Sequence, residues 1–88
     1  MPTYLVERYV PRAAGVGLAE IVAAAQVAAQ TVESGTIRYL AATLVPGDEL
    51  GYCLFEASSI QAVQHAHEIA RIPCERIVEA FHAAAPAG

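Results

Sequence analysis

The sequence contains no lysine and no tryptophan, and all five of its basic residues are arginines. These arginines are dispersed along a chain of net charge −4. No basic patch is therefore available to neutralise phosphates, and nucleic-acid binding is not expected. No apolar run reaches the ~18 residues of a membrane span, and the amino terminus lacks the basic and apolar regions of a signal peptide. We expect a soluble, cytoplasmic protein that does not bind membranes.

Cysteine is scarce, and the common catalytic motifs are missing. Cys53 and Cys74 are too far apart to form a C-x-x-C motif. Two buried thiols in a reducing cytosol are the default expectation, with a disulfide or a thiolate ligand as alternatives. The sequence has no nucleophile elbow, no P-loop and no glycine-rich dinucleotide motif after a strand. No catalytic residue and no organic cofactor can be assigned, and an enzyme is less favoured than a non-catalytic protein.

The pattern of apolar residues predicts six elements in the order β-α-β-β-α-β. A chain of 88 residues builds one modest core, so we expect residues 1–82 to form a single domain and residues 83–88 an unanchored tail. For the second helix, Ser58 and Gln61 have the spacing of a capping box. The predicted strands are 4–10, 36–45, 50–56 and 75–82, and the predicted helices run from Leu18 to near Ser34-Gly35 and from Ser58 to about Arg71.

This order of elements predicts a ferredoxin-like α+β fold. Right-handed crossovers place both helices on one face of a four-stranded antiparallel sheet. The first and third strands are then central, and the fourth strand flanks the first. The other face of the sheet has no cover within the chain. A small protein normally buries such a face against a second copy, so we expect a homodimer formed through this open face.

The first strand carries Glu7 and Arg8 side by side at its centre. Successive side chains of a strand point to opposite faces, so one of these two ionisable groups lies on each face. The more apolar assignment places five residues under the helices, which are Val6, Cys53, Phe55, Val78 and Ala80. Under this assignment, the three glutamates on the open face are Glu7, Glu56 and Glu79.

Clustered carboxylates have two chemical uses. They bind cations, because like charges at short range raise one another's pKa unless a positive ion intervenes. They also serve as general acids and bases. The alternative is a partly hydrated dimer interface in which arginines neutralise the glutamates, with Arg8, Arg38 and Arg76 as the candidates.

The histidines give a weaker signal for a metal. His65 and His67 are two residues apart on a helix, about 200° around its axis, and cannot chelate one ion together. His67 lies on the apolar stripe of Ile60, Val63 and Ala70, where a packed or solvent-edge histidine is more common than a ligand. Across a two-fold axis, however, single histidines pair up, and a shared site between subunits becomes available. Imidazole and carboxylate together suit zinc, nickel or copper.

Four segments resemble a family of short bacterial proteins. They are Tyr-Leu-Val-Glu-Arg at 4–8, Tyr-Cys-Leu-Phe-Glu-Ala at 52–57, Ala-Val-x-x-Ala-His at 62–67 and Ile-Pro-x-x-Arg-Ile-Val-Glu at 72–79. The family was long described as a domain of unknown function and includes a nickel-binding member with a ferredoxin-like fold. The sequence departs from it at Ala70-Arg71-Ile72-Pro73, where the family pattern is Ala-Gly-Leu-Pro and a glycine ends the helix.

The resemblance implies a ferredoxin-like homodimer that binds nickel or another divalent ion, with a role in metal homeostasis or stress response. The residues at matching motif positions that we predict as ligands are Glu7, Glu56 and His67. Two alternatives remain open. One is an enzyme or small-molecule-binding protein of the dimeric α/β-barrel type that uses the open face. The other is a structural or regulatory module whose glutamates are paired with arginines.

Overall fold

The computed structural model describes residues 1–31 and 37–83 of the chain. The elements follow the predicted order and form a ferredoxin-like fold. Short 3-10 turns at Arg12–Ala14 and Pro46–Asp48 follow β1 and β2. The strands and helices are β1 at Thr3–Tyr9, α1 at Leu18–Gln30, β2 at Ile37–Val45, β3 at Leu50–Ala57, α2 at Ile60–Ala70 and β4 at Arg76–Ala80.

The four strands form one antiparallel sheet in the order β2-β3-β1-β4. The central position of β1 and β3 and the place of β4 beside β1 are confirmed. The register places Val6 opposite both Cys53 and Ile77, and Leu5 opposite both Leu54 and Val78. Because side chains alternate between faces, each of these rows lies on one side of the sheet.

Both helices pack on the same face of the sheet. The side chains of Tyr4, Val6 and Phe55 project from this face and are buried against Ile21 of α1 and Val63 of α2. Phe55, Ile21 and Val63 are the largest fully buried side chains. Burying each such side chain stabilises the fold by roughly 1.5–3 kcal/mol. The second face of the sheet carries neither helix and is called the open face below.

The start of α2 differs by one residue from the predicted capping box. Ser59, not Ser58, is the N-cap, and its Oγ accepts a hydrogen bond of 3.1 Å from the amide of Ala62. With Ser59 at the N-cap, Gln61 is the second helical residue and not the third. It therefore cannot complete a capping box.

The buried face of α1 begins at Ile21. Ile21, Ala25 and Ala28 are buried, whereas Leu18 is exposed. The helix ends at Gln30, and the hydroxyl of Thr31 donates a hydrogen bond to the carbonyl of Val27. The predicted helix end near Ser34-Gly35 lies outside the described residues.

The assignment of faces along β4 was wrong. Ile77, opposite Val6, faces the helices, whereas Val78 lies on the open face opposite Leu5. The composition of β4 favoured the opposite assignment, because Val78 shares its face with the apolar Ala80 whereas Ile77 shares its face with Glu79. The pairing with β1 instead places Val78 and Ala80 on the open face. As a result, Glu79 lies opposite Tyr4 on the helix-covered side, and the three glutamates do not share one face.

The long edge strand β2 contains an irregularity. Its register against β3 shifts between Tyr39 and Ala41, so that Tyr39 pairs with Phe55 and Ala41 pairs with Leu54. Leu40 is the extra residue of a β-bulge. None of the helices in residues 1–31 and 37–83 is long and apolar enough to cross a membrane.

Candidate functional site

The open face carries a shallow groove with a volume of about 230 Å³. Its floor is apolar and comes from the three strands β1, β2 and β3, and its rim comes from the end of β4 and the residues after it. Phe81, at this rim, is 96% exposed, which is unusual for a phenylalanine. The groove is lined by Leu5, Ala41, Thr43, Tyr52, Leu54, Ala80, Phe81 and His82.

Both predicted glutamate ligands on the open face are paired with an arginine of a neighbouring strand. The Nε of Arg76 donates a hydrogen bond of 3.1 Å to Oε2 of Glu7. Arg38 Nη2 lies 3.4 Å from Oε1 of Glu56. The two arginine side chains are largely exposed, so each pair contributes about 0.2–1 kcal/mol or less. The alternative of arginine-neutralised glutamates is therefore matched by Arg38 and Arg76, whereas Arg8 points to the other face.

The two carboxylates are far apart within one chain. Glu7 pairs with Tyr52, whereas Glu56 pairs with Thr3. Four positions along the strands separate them, which corresponds to roughly 13 Å. Glu7 and Glu56 of one chain therefore cannot bind the same ion.

An imidazole lies at the Glu56 end of the open face. Thr3 pairs with Glu56 on one side and with Ala80 on the other, and His82 follows Ala80 and lines the groove. The sequence placed His82 only near the end of the last strand and did not indicate which face it joins. The sheet pairing supplies this information.

His67, the third predicted ligand, lies on the opposite side of the sheet. Its side chain is 3% exposed and packs edge-on against Phe55, with ring centroids 5.3 Å apart. Nδ1 donates a hydrogen bond of 2.8 Å to the carbonyl of Val63, which fixes the proton on that nitrogen. Burial lowers the pKa of His67, and the charge of Arg8 adds to this effect, against the opposing effect of the backbone hydrogen bond. The buried ring is therefore neutral near pH 7.

The three predicted ligands thus do not meet within one chain. Glu7 and Glu56 lie at separate points of the open face, and His67 is enclosed beneath the helices. His65 is exposed on α2. Within the part of the chain that the structure describes, no group of three or more His, Cys, Asp or Glu side chains is arranged to hold a metal ion.

A second surface pocket, of about 250 Å³, lies between α2 and β4. Its lining includes the buried His67 together with Glu68, Glu75 and Cys74. Cys74 is exposed, so the expectation of two buried thiols holds only for Cys53. Partial burial raises the pKa of the Cys74 thiol, and the charges of Glu75 and Glu68 raise it further. At neutral pH this residue is a thiol and not the thiolate that binds metals.

A small cavity lies inside the helix-covered layer and has a volume of about 10 Å³. We call it the inner cavity. Its polar lining consists of Arg8, Cys53 and His67. Burial raises the pKa of Cys53, although the charge of Arg8 acts in the opposite direction. The sequence indicated Arg8 only as a possible partner for the glutamates. Its position between the buried Val6 and Val10, two residues away on each side, is the signal that it shares their face.

Comparison with known proteins is consistent with this architecture. The chain is similar to a crystal structure of SCO4226 from Streptomyces coelicolor A3(2), with a TM-score of 0.73 and 24% sequence identity over 93% of this chain and 99% of that one. At this identity the likeness establishes the fold alone. No curated protein matches the chain. A family model described as "Nickel responsive protein SCO4226-like" matches residues 4–80. Because this match spans nearly the whole chain, the protein belongs to the SCO4226-like family of nickel responsive proteins.

Proposed function

We propose that this protein is a homodimeric binder of divalent transition metals, with nickel favoured, and that it acts in metal homeostasis or the response to metal stress. The observation that carries the proposal is the family match over residues 4–80, since that family is described as nickel responsive. The absence of a nucleophile elbow, P-loop or dinucleotide motif makes a binding role more plausible than catalysis.

The open face supports the dimer. An apolar floor containing Leu5 and Leu54, with the fully exposed Phe81 at its rim, is a surface that small proteins cover with a partner. The two cross-strand ion pairs cancel in charge, so two copies of this face approach each other without net repulsion from those four groups. A two-fold axis through the open face makes the contact self-complementary.

The dimer also determines which candidate metal ligands come close to one another. Glu56 and His82 lie at one end of the open face and offer one oxygen and one nitrogen donor. Because β1 lies between β3 and β4, about 10 Å separates the two strands, and the two groups of one chain do not share an ion. A two-fold axis near this end sets Glu56 of one copy against His82 of the second copy, which gives the mixed imidazole and carboxylate set that suits nickel. Binding requires Glu56 to release Arg38, and this exposed pair is weak enough to be displaced.

The other two predicted ligands take different positions in this proposal. Glu7 shares the face and supplies a second carboxylate further along it. His67 would need a separate site beneath the helices, where its Nε2 is the only ring nitrogen not engaged with Val63. The ligand set Glu7, Glu56 and His67 therefore stays a prediction for the assembled dimer and not for one chain.

Isothermal titration calorimetry of metal-free protein with nickel and with zinc tests the function. We expect saturable heat with nickel, and a molecular mass of two chains by light scattering. The ligand assignment is tested by Glu56→Gln and His82→Gln, which should weaken nickel binding, with Glu20→Gln and His65→Gln as matched controls on the exposed helix surfaces.

The outcomes distinguish a failure of the proposed function from a failure of the ligand assignment. The absence of saturable heat with either metal would contradict metal binding altogether. Undiminished binding by Glu56→Gln and His82→Gln would leave the function standing and reject their assignment. Glu7→Gln and His67→Gln, measured in the same way, decide whether the originally predicted ligands contribute.

The alternative of a small-molecule site on the open face is less favoured. The groove, at about 230 Å³, is smaller than the ~300–1,000 Å³ typical of ligand pockets. It also lacks a buried polar group to orient a substrate, since Tyr52 is partly exposed and His82 is exposed.

A further inference from the structure

The inner cavity is lined by an arginine that has one buried N–H group without a hydrogen-bond partner. The Nε atom of Arg8 is buried and makes no hydrogen bond to any described residue. Most buried N–H groups in proteins have an acceptor, and one that has none costs about 1–3 kcal/mol. A buried N–H of a charged group is the more unusual case, and it calls for an explanation.

The remaining lining of the inner cavity provides no counter-charge. No aspartate or glutamate is among the nine lining residues, and apart from Arg8, Cys53 and His67 the lining is apolar. The nearby carboxylates of β1 and β4 do not fill this role. Glu79 shares the helix-covered side but pairs with Tyr4, four positions along β1 from Arg8. Glu7 lies on the other face of the sheet, bound to Arg76.

The two neutral polar groups of the cavity do not repel an anion as a carboxylate would. Burial keeps Cys53 a thiol, whose S–H is a weak hydrogen-bond donor. His67 is oriented by its bond to Val63 and presents a ring that carries no negative charge. The local field is therefore dominated by the arginine.

The fold places Arg8 in this position for a geometric reason. Arg8 pairs with Gly51 across the sheet, so no side chain stands opposite it on β3. The space above Gly51 is occupied by Val10 and Ile21, each 3.2 Å from where a Cβ would lie. The Nε of the half-buried Arg8 thus lies among apolar side chains, where an N–H group of a charged side chain favours an acceptor of opposite charge.

We propose that the inner cavity binds one small monovalent anion, of the size of chloride or formate, through the guanidinium of Arg8. The volume of about 10 Å³ is close to that of one water-sized sphere, which limits the buried part of the ion to one or two atoms. Larger anions such as gluconate are excluded by size. The site is separate from the metal-binding residues of the open face and does not depend on the proposed function.

Unfolding experiments test the site in solution. Wild-type protein is unfolded at constant ionic strength while sodium gluconate is exchanged for sodium chloride or sodium formate. An ion that binds only the folded state should raise the folding constant with saturation, by about elevenfold at ten times its Kd. Arg8→Gln should remove this response. Arg71→Gln, which removes an exposed arginine, should retain it.

Two results would overturn the proposal. One is that chloride or formate stabilises wild type and Arg8→Gln to the same degree. The other is that wild type is equally stable in gluconate, chloride and formate. Crystals of wild-type protein grown with bromide decide the question if Arg8→Gln fails to fold. An anomalous peak within hydrogen-bond distance of Arg8 Nε supports the site, and a water molecule alone in that position rejects it.

Discussion

Replacing Arg71 with glycine is expected to stabilise the protein. Arg71 is the C-cap of α2 and has left-handed backbone angles, with φ 57° and ψ 41°. Its amide donates a hydrogen bond of 3.1 Å to the carbonyl of Glu68, and the amide of Ile72 donates one of 2.9 Å to that of His67. The helix end thus requires this conformation whichever residue occupies the position.

The magnitude follows from two opposing terms. A residue with a Cβ pays about 1–2 kcal/mol for the left-handed conformation, and glycine does not. The glycine variant in turn loses about 0.5–1 kcal/mol of stability, because its unfolded chain has greater conformational freedom. We expect a net gain of about 0.5–1 kcal/mol, which for a domain of this size raises Tm by roughly 2–8 °C.

Urea unfolding followed by circular dichroism measures this difference. Arg71→Ala is the matched control, because it removes the long charged side chain and keeps the Cβ. It should lack the gain of Arg71→Gly. Equal midpoints for the two variants, or a lower midpoint for Arg71→Gly, would refute the argument from backbone conformation. The slope of the transition should stay constant, since the surface exposed on unfolding hardly changes.

Three further predictions concern other positions. Stability should decrease as the pH falls below about 6.5, because burial lowers the pKa of His67 in the folded state and the unfolded chain takes up the proton first. Urea midpoints between about pH 5 and 8 measure this dependence. His67→Gln, but not His65→Gln, should reduce the slope of stability against pH. Gly51→Ala should destabilise by about 1–3 kcal/mol, because its Cβ would lie 3.2 Å from side-chain atoms of Val10 and Ile21, which are both buried and have little room to move. Gly47→Ala, with open space around it, is the control in thermal unfolding. Ser59→Ala should cost about 1 kcal/mol by removing the N-cap bond to Ala62, and Ser58→Ala should cost much less in the same chemical denaturation.

The sequence was sufficient for the order of elements because each signal was local. The change from strand spacing to helical spacing at Leu18 and the break at Pro73 are each contained within a few residues. The position of the N-cap was less certain, because Ser58 and Ser59 are chemically equivalent and only the path of the chain leaving β3 selects between them.

The site was harder to predict because it depends on register. The composition of β4 favours burying Val78 and Ala80 over Ile77 and Glu79, so the strand by itself indicated the wrong face for Glu79. Likewise, the distance between Glu7 and Glu56 could not be predicted from the sequence, because it follows from the pairing of β1 with β3. His67 was correctly placed on the apolar stripe of α2, and its burial is what that position indicates.

The bulge at Leu40 limits how the sheet can grow. β2 is a nine-residue edge strand, and an uninterrupted edge of that length exposes a row of backbone donors and acceptors to which a strand of another molecule can bind. One extra residue interrupts this row and increases the local twist. Deleting Leu40 would straighten the edge, and we expect the resulting protein to form strand-to-strand aggregates more readily than wild type.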